Sequence, residues 1–349
     1  MSATASAVTH YDMMRRRRIV WLTVVLALLF AMAVTDLLIG PAFLPLFDVL
    51  GSFIPLGGEL DRTVEVIVWN IRMPMTAMAV VVGASLGVAG ALMQTILGNP
   101  LASPYTLGFS AAAGFGAALV ILIGIEIPAL PGLTVPIAAF LAAAGATALV
   151  YGLARRREAS AEVMILSGIA TLFLFQSAQS LVQYMAAPEV LQEIVFWLFG
   201  SLLKATWLSV GVSGGILIVS AVLLAPDLWR LTALRLGDDR ARSLGVNVER
   251  LRRRIFIIVA LLTAGAVAFV GTIGFVGLVA PHIARSMVGE DQRLLLPVSA
   301  ATGAVVMVTA SVVSKGISPG AVVPIGIVTA VVGVPFLFGL ILRGRRSYW

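Results

Sequence analysis

The sequence predicts an all-α polytopic membrane protein with ten transmembrane helices, and three observations predict it. Hydrophobic residues make up 60% of the 349 and charged residues 12%, so no water-soluble domain of useful size remains once the apolar runs are removed. Those runs recur ten times at about the 20 residues that a helix needs to cross a bilayer. Basic residues cluster at alternate ends of the runs, the asymmetry expected when positive charge is kept on the inner side. The whole chain, residues 1–349, reads as one transmembrane domain with a cytoplasmic tail over 1–18 and a large cytoplasmic loop over 227–254.

In order, the predicted spans are 19–40, 73–97, 106–125, 133–153, 163–185, 207–225, 255–273, a short 274–288, 294–313 and 322–342. The first follows Arg15 to Arg18 and contains Ala31-Met32-Ala33, which imitates a cleavable export signal. Its apolar run continues through Asp36 to Gly40, so an uncleaved anchor fits better. With the N-terminus inside, the outer connections keep only Arg62, Arg72, Lys204 and Lys315 of the 24 Lys and Arg. Both termini are therefore expected in the cytoplasm. The outer connection between the first two spans is rich in Gly and Pro and reads as an irregular loop leading into a surface helix. The loop 227–254 repeats leucines among charges at helical spacing, broken by Gly237 and Gly245, which predicts two short amphipathic helices joined by a turn. Such a pair either lies on lipid or docks a cytosolic subunit. Gly83-Ala84 and Gly265-Ala266 begin similarly spaced Gly and Pro patterns in spans of opposite direction, a weak sign of an inverted repeat.

Composition excludes several classes. There is no Cys, which removes disulfides and thiolate metal sites. Arginines at span ends and in one loop fit a membrane surface and a cytosolic partner rather than nucleic acid. No HExxH, GxSxG or GxxxxGK[ST] pattern occurs, so neither an enzyme nor a nucleotide site is expected in this chain. His10 lies in the tail; His282 stands alone and reads as a hydrogen-bonded helix residue before a ligand. Asp36, Glu126, Glu162 and Glu189 fall near span ends, which disfavours a proton-driven carrier. In the fifth span Gln176, Gln179, Ser180 and Gln183 share one helical face, which places them against another helix or along a substrate path.

Four stretches in order resemble one family: RMPMTAMAVVVGASLGVAGALMQTILGNPLASPYTLGFSAAAG from Arg72, LGDDRARSLGVNVERLR from Leu236, GTIGFVGLVAPHIAR from Gly271 and PIGIVTAVVGVPFLFGLILR from Pro324. They are similar to the FecCD permeases, membrane subunits of type II ATP-binding-cassette (ABC) importers for ferric siderophores, haem and cobalamin. The resemblance implies a ten-helix permease that pairs with a second permease subunit. It also implies two cytosolic ATPases that bind ATP and Mg, no cofactor in this chain, and a periplasmic or surface-anchored binding protein that delivers cargo in a bacterial or archaeal plasma membrane. By that resemblance, Asp238, Asp239, Ala241, Arg242, Leu244 and Gly245 couple to the ATPase, and Asn99, Leu101, Ala159 and Ser160 form a cytoplasmic gate. Arg72 and Lys315 match outer residues that dock the binding protein. The chain departs from the family with Met75 where Arg is frequent, Ser311 where Asp is common and Val322 where Glu is usual. A ferric siderophore is the leading expected cargo, with haem or cobalamin as alternatives. An independent secondary transporter is the rival from another class.

Overall fold

The computed structural model describes residues 2–40, 44–53, 62–155, 160–317 and 321–343, in which every regular element is helical. The order is α1 (Ser2–Leu38), α2 (Leu46–Gly51), α3 (Arg62–Ile67), α4 (Met73–Ile96), α5 (Phe109–Ile123), α6 (Thr134–Arg155), α7 (Ala161–Met185) and α8 (Pro188–Leu198). It continues with α9 (Trp207–Leu224), α10 (Leu228–Leu234), α11 (Asp238–Ser243), α12 (Val248–Val270), α13 (Val276–Val288), α14 (Gln292–Gly316) and α15 (Ile325–Arg343). Among the described residues, seven helical segments are long and apolar enough to cross a membrane, and α5, α13 and α15 are shorter apolar helices. Together they supply the ten predicted spans.

The differences from the sequence expectation have local causes. The outer surface helix expected before the second span is instead continuous with it, since α3 runs through a π turn at Val68–Arg72 into α4. Pro74 follows that turn; it has no N–H to give and its ring crowds the carbonyl one turn back, which the wider turn accommodates. The third span starts at Phe109 because residues 98–108 fold as turns between Gly98 and Gly108, both at positive φ. The eighth begins at Val276, after an irregular stretch at 271–275 that ends on Phe275 with φ of 67°. At 1.5 Å per residue its 13 residues rise about 20 Å, short of a bilayer core. α8 was not anticipated, although Pro188 at its first turn followed by Glu189 is a recognisable start.

α4 is the central post, buried along nearly all its length and packed against α9, α12, α13 and α14. Glycine permits the closest approaches. A Cβ at Gly83 would lie 2.3 Å from the Gly303 carbonyl oxygen, and one at Gly90 only 1.7 Å from that of Gly277. Lipid gives no hydrophobic drive for helix association, so this backbone-to-backbone packing supplies much of the cohesion. The echo of Gly83 at Gly265 packs differently, against the Ile216 side chain of α9. α1 and α7 lie outside this centre and remain largely uncovered.

Candidate functional site at the arginine-rich end

After α9 the chain turns at Ala225–Asp227, where buried Asp227 holds Arg230 at 2.6 Å and Arg254 at 3.1 Å. α10 and α11 follow, separated at Gly237 (φ 98°) and closed at Gly245 (φ 83°), positions where a side chain would strain the backbone. This is the predicted helix pair. Its two faces differ sharply. Ala241 is fully buried and Asp238 turns inward, while Asp239, Arg242, Leu244 and the preceding Leu236 are exposed. The Asp239–Arg242 pair at 3.2 Å sits on that surface and adds little stability. Of the expected coupling residues, Asp239, Arg242 and Leu244 therefore present a surface, Asp238 and Ala241 pack beneath it, and Gly245, itself exposed, closes the turn.

Inside, a polar network joins this element to the end of α4. Arg252 of α12 donates to both Asp238 oxygens at 2.7 and 2.9 Å and, through Nε, to the Ile96 carbonyl at 2.9 Å. Arg285 of α13 donates to Gln94 Oε1 at 2.8 Å and approaches Glu290 at 3.1 Å, which also accepts from Arg235 at 2.8 Å. Gln292 donates through its side chain to Thr95 Oγ1 at 3.1 Å and through its backbone N–H to Thr232 Oγ1 at 3.2 Å. These contacts meet around an open hollow of about 560 Å³ lined also by Gly98, Pro100, Ser160, Glu162 and His282. Three arginines there face three carboxylates, so the hollow carries no surplus charge. His282 is half-buried with its ring edge-on to Phe336.

Of the expected gate residues, Asn99, Leu101 and Ser160 lie at this hollow. Asn99 turns back to accept the Leu101 N–H at 2.9 Å, a local bond that fixes the turn and leaves Leu101 exposed. Ser160 caps α7 by accepting from Val163 N–H at 3.4 Å. Ala159 lies outside the described residues.

The amide stripe on α7 is divided. Gln176 and Ser180 are exposed, whereas Gln179 and Gln183 are half-buried, and the Gln179 amide occupies the space beside Gly114 of α5. Around the exposed pair lie Phe173, Leu174, Leu181 and Tyr184, also uncovered.

Arg72 and Lys315 require a correction. Expected on the outer surface, they are 4% and 5% exposed and point into the bundle at the end opposite the arginine cluster. Lys315 Nζ lies 2.8 Å from Asp36 Oδ1 and donates to the Asp36 carbonyl at 3.1 Å; Thr76 donates to Asp36 Oδ2 at 2.6 Å. Arg72 donates to the carbonyls of Leu37 and Leu38 at 2.7 and 3.0 Å. The physical reason is α1: its last turn offers unpaired carbonyls and a carboxylate in an apolar setting, and the two cations satisfy them. Their charge is thus engaged within the chain, against the end of α1.

Residues 25–343 match the family model for the FecCD transport family. The chain belongs to that family. It is 37% identical to a protein of Methanocaldococcus jannaschii assigned as an ABC transporter permease, over 95% of this chain and 97% of the relative. It is 35% identical to the hemin transport system permease HmuU of Yersinia pestis, over 80% of this chain and 84% of the relative. Among solved structures, an inward-facing conformation assigned to a metal-chelate type ABC transporter matches with a TM-score of 0.81 and 30% identity. The match covers 92% of this chain and 98% of that one. The fold is accordingly that of an ABC importer permease.

For a FecCD permease, the residues that sequence reasoning missed are the inward-facing partners: Gln94, Arg252, Arg285, Glu290 and Gln292. Arg252 looked like one more member of a basic run, and the others sat at span ends where polar residues are unremarkable. Only tertiary structure separates buried Arg252 from exposed Arg250 and Arg253 beside it.

Proposed function

We propose that this permease carries an iron chelate, in the first place a ferric siderophore, into the cytoplasm as the membrane subunit of an ABC importer. The family match over residues 25–343 carries the reading, and the hemin and metal-chelate relatives support iron-bearing cargo. In this reading the arginine-rich end faces the cytoplasm. An ATPase subunit, which binds ATP and Mg, rests on Leu236, Asp239, Arg242 and Leu244. The uncovered face of α7 meets a second permease subunit, with Gln176 and Ser180 on the path between the two. A binding protein delivers cargo at the opposite end. Haem and cobalamin are the alternative cargoes within the family.

Reconstitution with the ATPase subunit in vesicles tests the cargo. Binding proteins loaded with a ferric hydroxamate, haem or cobalamin are added outside, and ATP hydrolysis is measured. The ferric chelate should give the largest stimulation; a response to cobalamin alone would replace it as cargo.

The path assignment has its own test, since the native chain has no Cys to give background labelling. In the assembled importer, a polar thiol reagent added from outside is expected to modify Gln176→Cys and Ser180→Cys much faster than Val182→Cys, which is 5% exposed. Equal protection at all three would remove α7 from the path.

A further inference from the structure

Within the run Arg250 to Arg254 at the start of α12, Arg252 alone turns fully inward, with 8% of its side chain exposed. Its guanidinium joins two segments far apart in sequence. One is the N-terminus of α11, through both oxygens of Asp238; the other is the last carbonyl of α4, at Ile96. Ile96 is followed, after Leu97, by the turn of Gly98, Asn99 and Leu101, which holds two of the residues expected to form the gate. The planar fork of arginine serves this arrangement, since two parallel bonds fix its orientation to the carboxylate while Nε remains free for the carbonyl. A carbonyl at a helix C-terminus also lacks an intrahelical donor and carries partial negative charge, so a cation is favoured there.

We propose that Arg252 is the positioning residue through which displacement of α11 is passed to the gate turn at the end of α4. The inference rests on the reading of α11 as the ATPase contact and of the turn at 98–101 as the gate. If α11 shifts, Asp238 carries the guanidinium with it and the Ile96 carbonyl follows. From α11 itself the hydrogen-bonded link runs through this side chain, while Arg235, between α10 and α11, reaches Gln94 of α4 by a separate route through Glu290 and Arg285; the rest of α4 stays packed against α13 and α14.

The test uses the complete importer with its ATPase, ATP with Mg, and vanadate to hold the ATPase in its closed state. An environment-sensitive thiol fluorophore is placed at Leu236→Cys to report on the contact surface, or at Leu101→Cys to report on the gate; both residues are exposed. In the native background both labels should respond to trapping. In Arg252→Met the Leu236 label should still respond, whereas the Leu101 response should fall about tenfold, within the usual range of coupling between sites. Arg252→Lys, which keeps the charge but loses the fork, should fall between. A full Leu101 response in Arg252→Met overturns the proposal. So does an equal fall of both responses in the folded protein, the result of a purely structural role. If Arg252→Met does not fold, Asp238→Asn, which keeps the Ile96 bond, should show the same selective loss, and a full Leu101 response there also overturns it. A silent Leu236 label in the native importer overturns the ATPase contact on α11 itself and the inference with it.

Discussion

Gly90→Ala is expected to destabilise the folded permease by about 1–3 kcal/mol or more, the cost of overpacking a filled interior. The added methyl would stand 1.7 Å from the Gly277 carbonyl oxygen, so α4 and α13 must move apart. Separation would also loosen the Arg285–Gln94 bond that joins the same two helices one turn further on. The same substitution at Gly145 of α6 meets nothing within 4 Å and should stabilise by about 0.5–1 kcal/mol through helix propensity. Thermal unfolding of the two variants in detergent checks both signs. Equal midpoints would mean that close approach at Gly90 is not required.

Lys315→Met should cost about 3 kcal/mol or more, because it strands a fully buried carboxylate. The loss lies mainly in the uncompensated Asp36 rather than in the pair itself. A double variant, Asp36→Leu with Lys315→Met, should therefore recover much of the stability, since apolar replacement of a buried pair is often neutral. Denaturation of the two single and the double variants forms a cycle that isolates the coupling. If the double variant were no better than Lys315→Met, the pair would not be the source of the loss. Binding-protein affinity offers a separate readout. With its charge engaged by Asp36, Lys315 should affect docking only as far as it affects folding.

The spans were legible because lipid imposes a simple demand, a run of apolar residues with polar ends, that a single sequence displays directly. The helix pair at 228–243 was legible for a similar reason: leucine spacing and two glycines are local signals. Pairings between distant segments were not. Arg252 and Ile96 lie 156 positions apart, Arg285 and Gln94 191 apart, and nothing in one sequence links them. Arg72 and Lys315 show the cost. Their position at the outer ends of spans was read as exposure, yet the end of a span can face the bundle as readily as the water, and a carboxylate on a neighbouring helix decides which. The irregular stretch at 271–275 was missed because Gly271 and Gly274 sit in an otherwise apolar run, where hydropathy does not distinguish extended from helical backbone.

The Asp36–Lys315 contact joins residues 279 positions apart, and this has a consequence for how the protein is made. At a synthesis rate of about 5–20 residues per second, Lys315 emerges roughly 15–55 s after Asp36. During that interval the first helix carries a carboxylate without its lysine, close enough to its own end to stay within reach of water and headgroups. The helix therefore enters the membrane early and can meet Arg72 and Thr76 soon after, but it acquires its main neighbour late, when α14 arrives and supplies the lysine. Assembly should accordingly close around α1 as one of its last steps, and chains truncated before α14 should leave α1 open to protease or to labelling at its outer end.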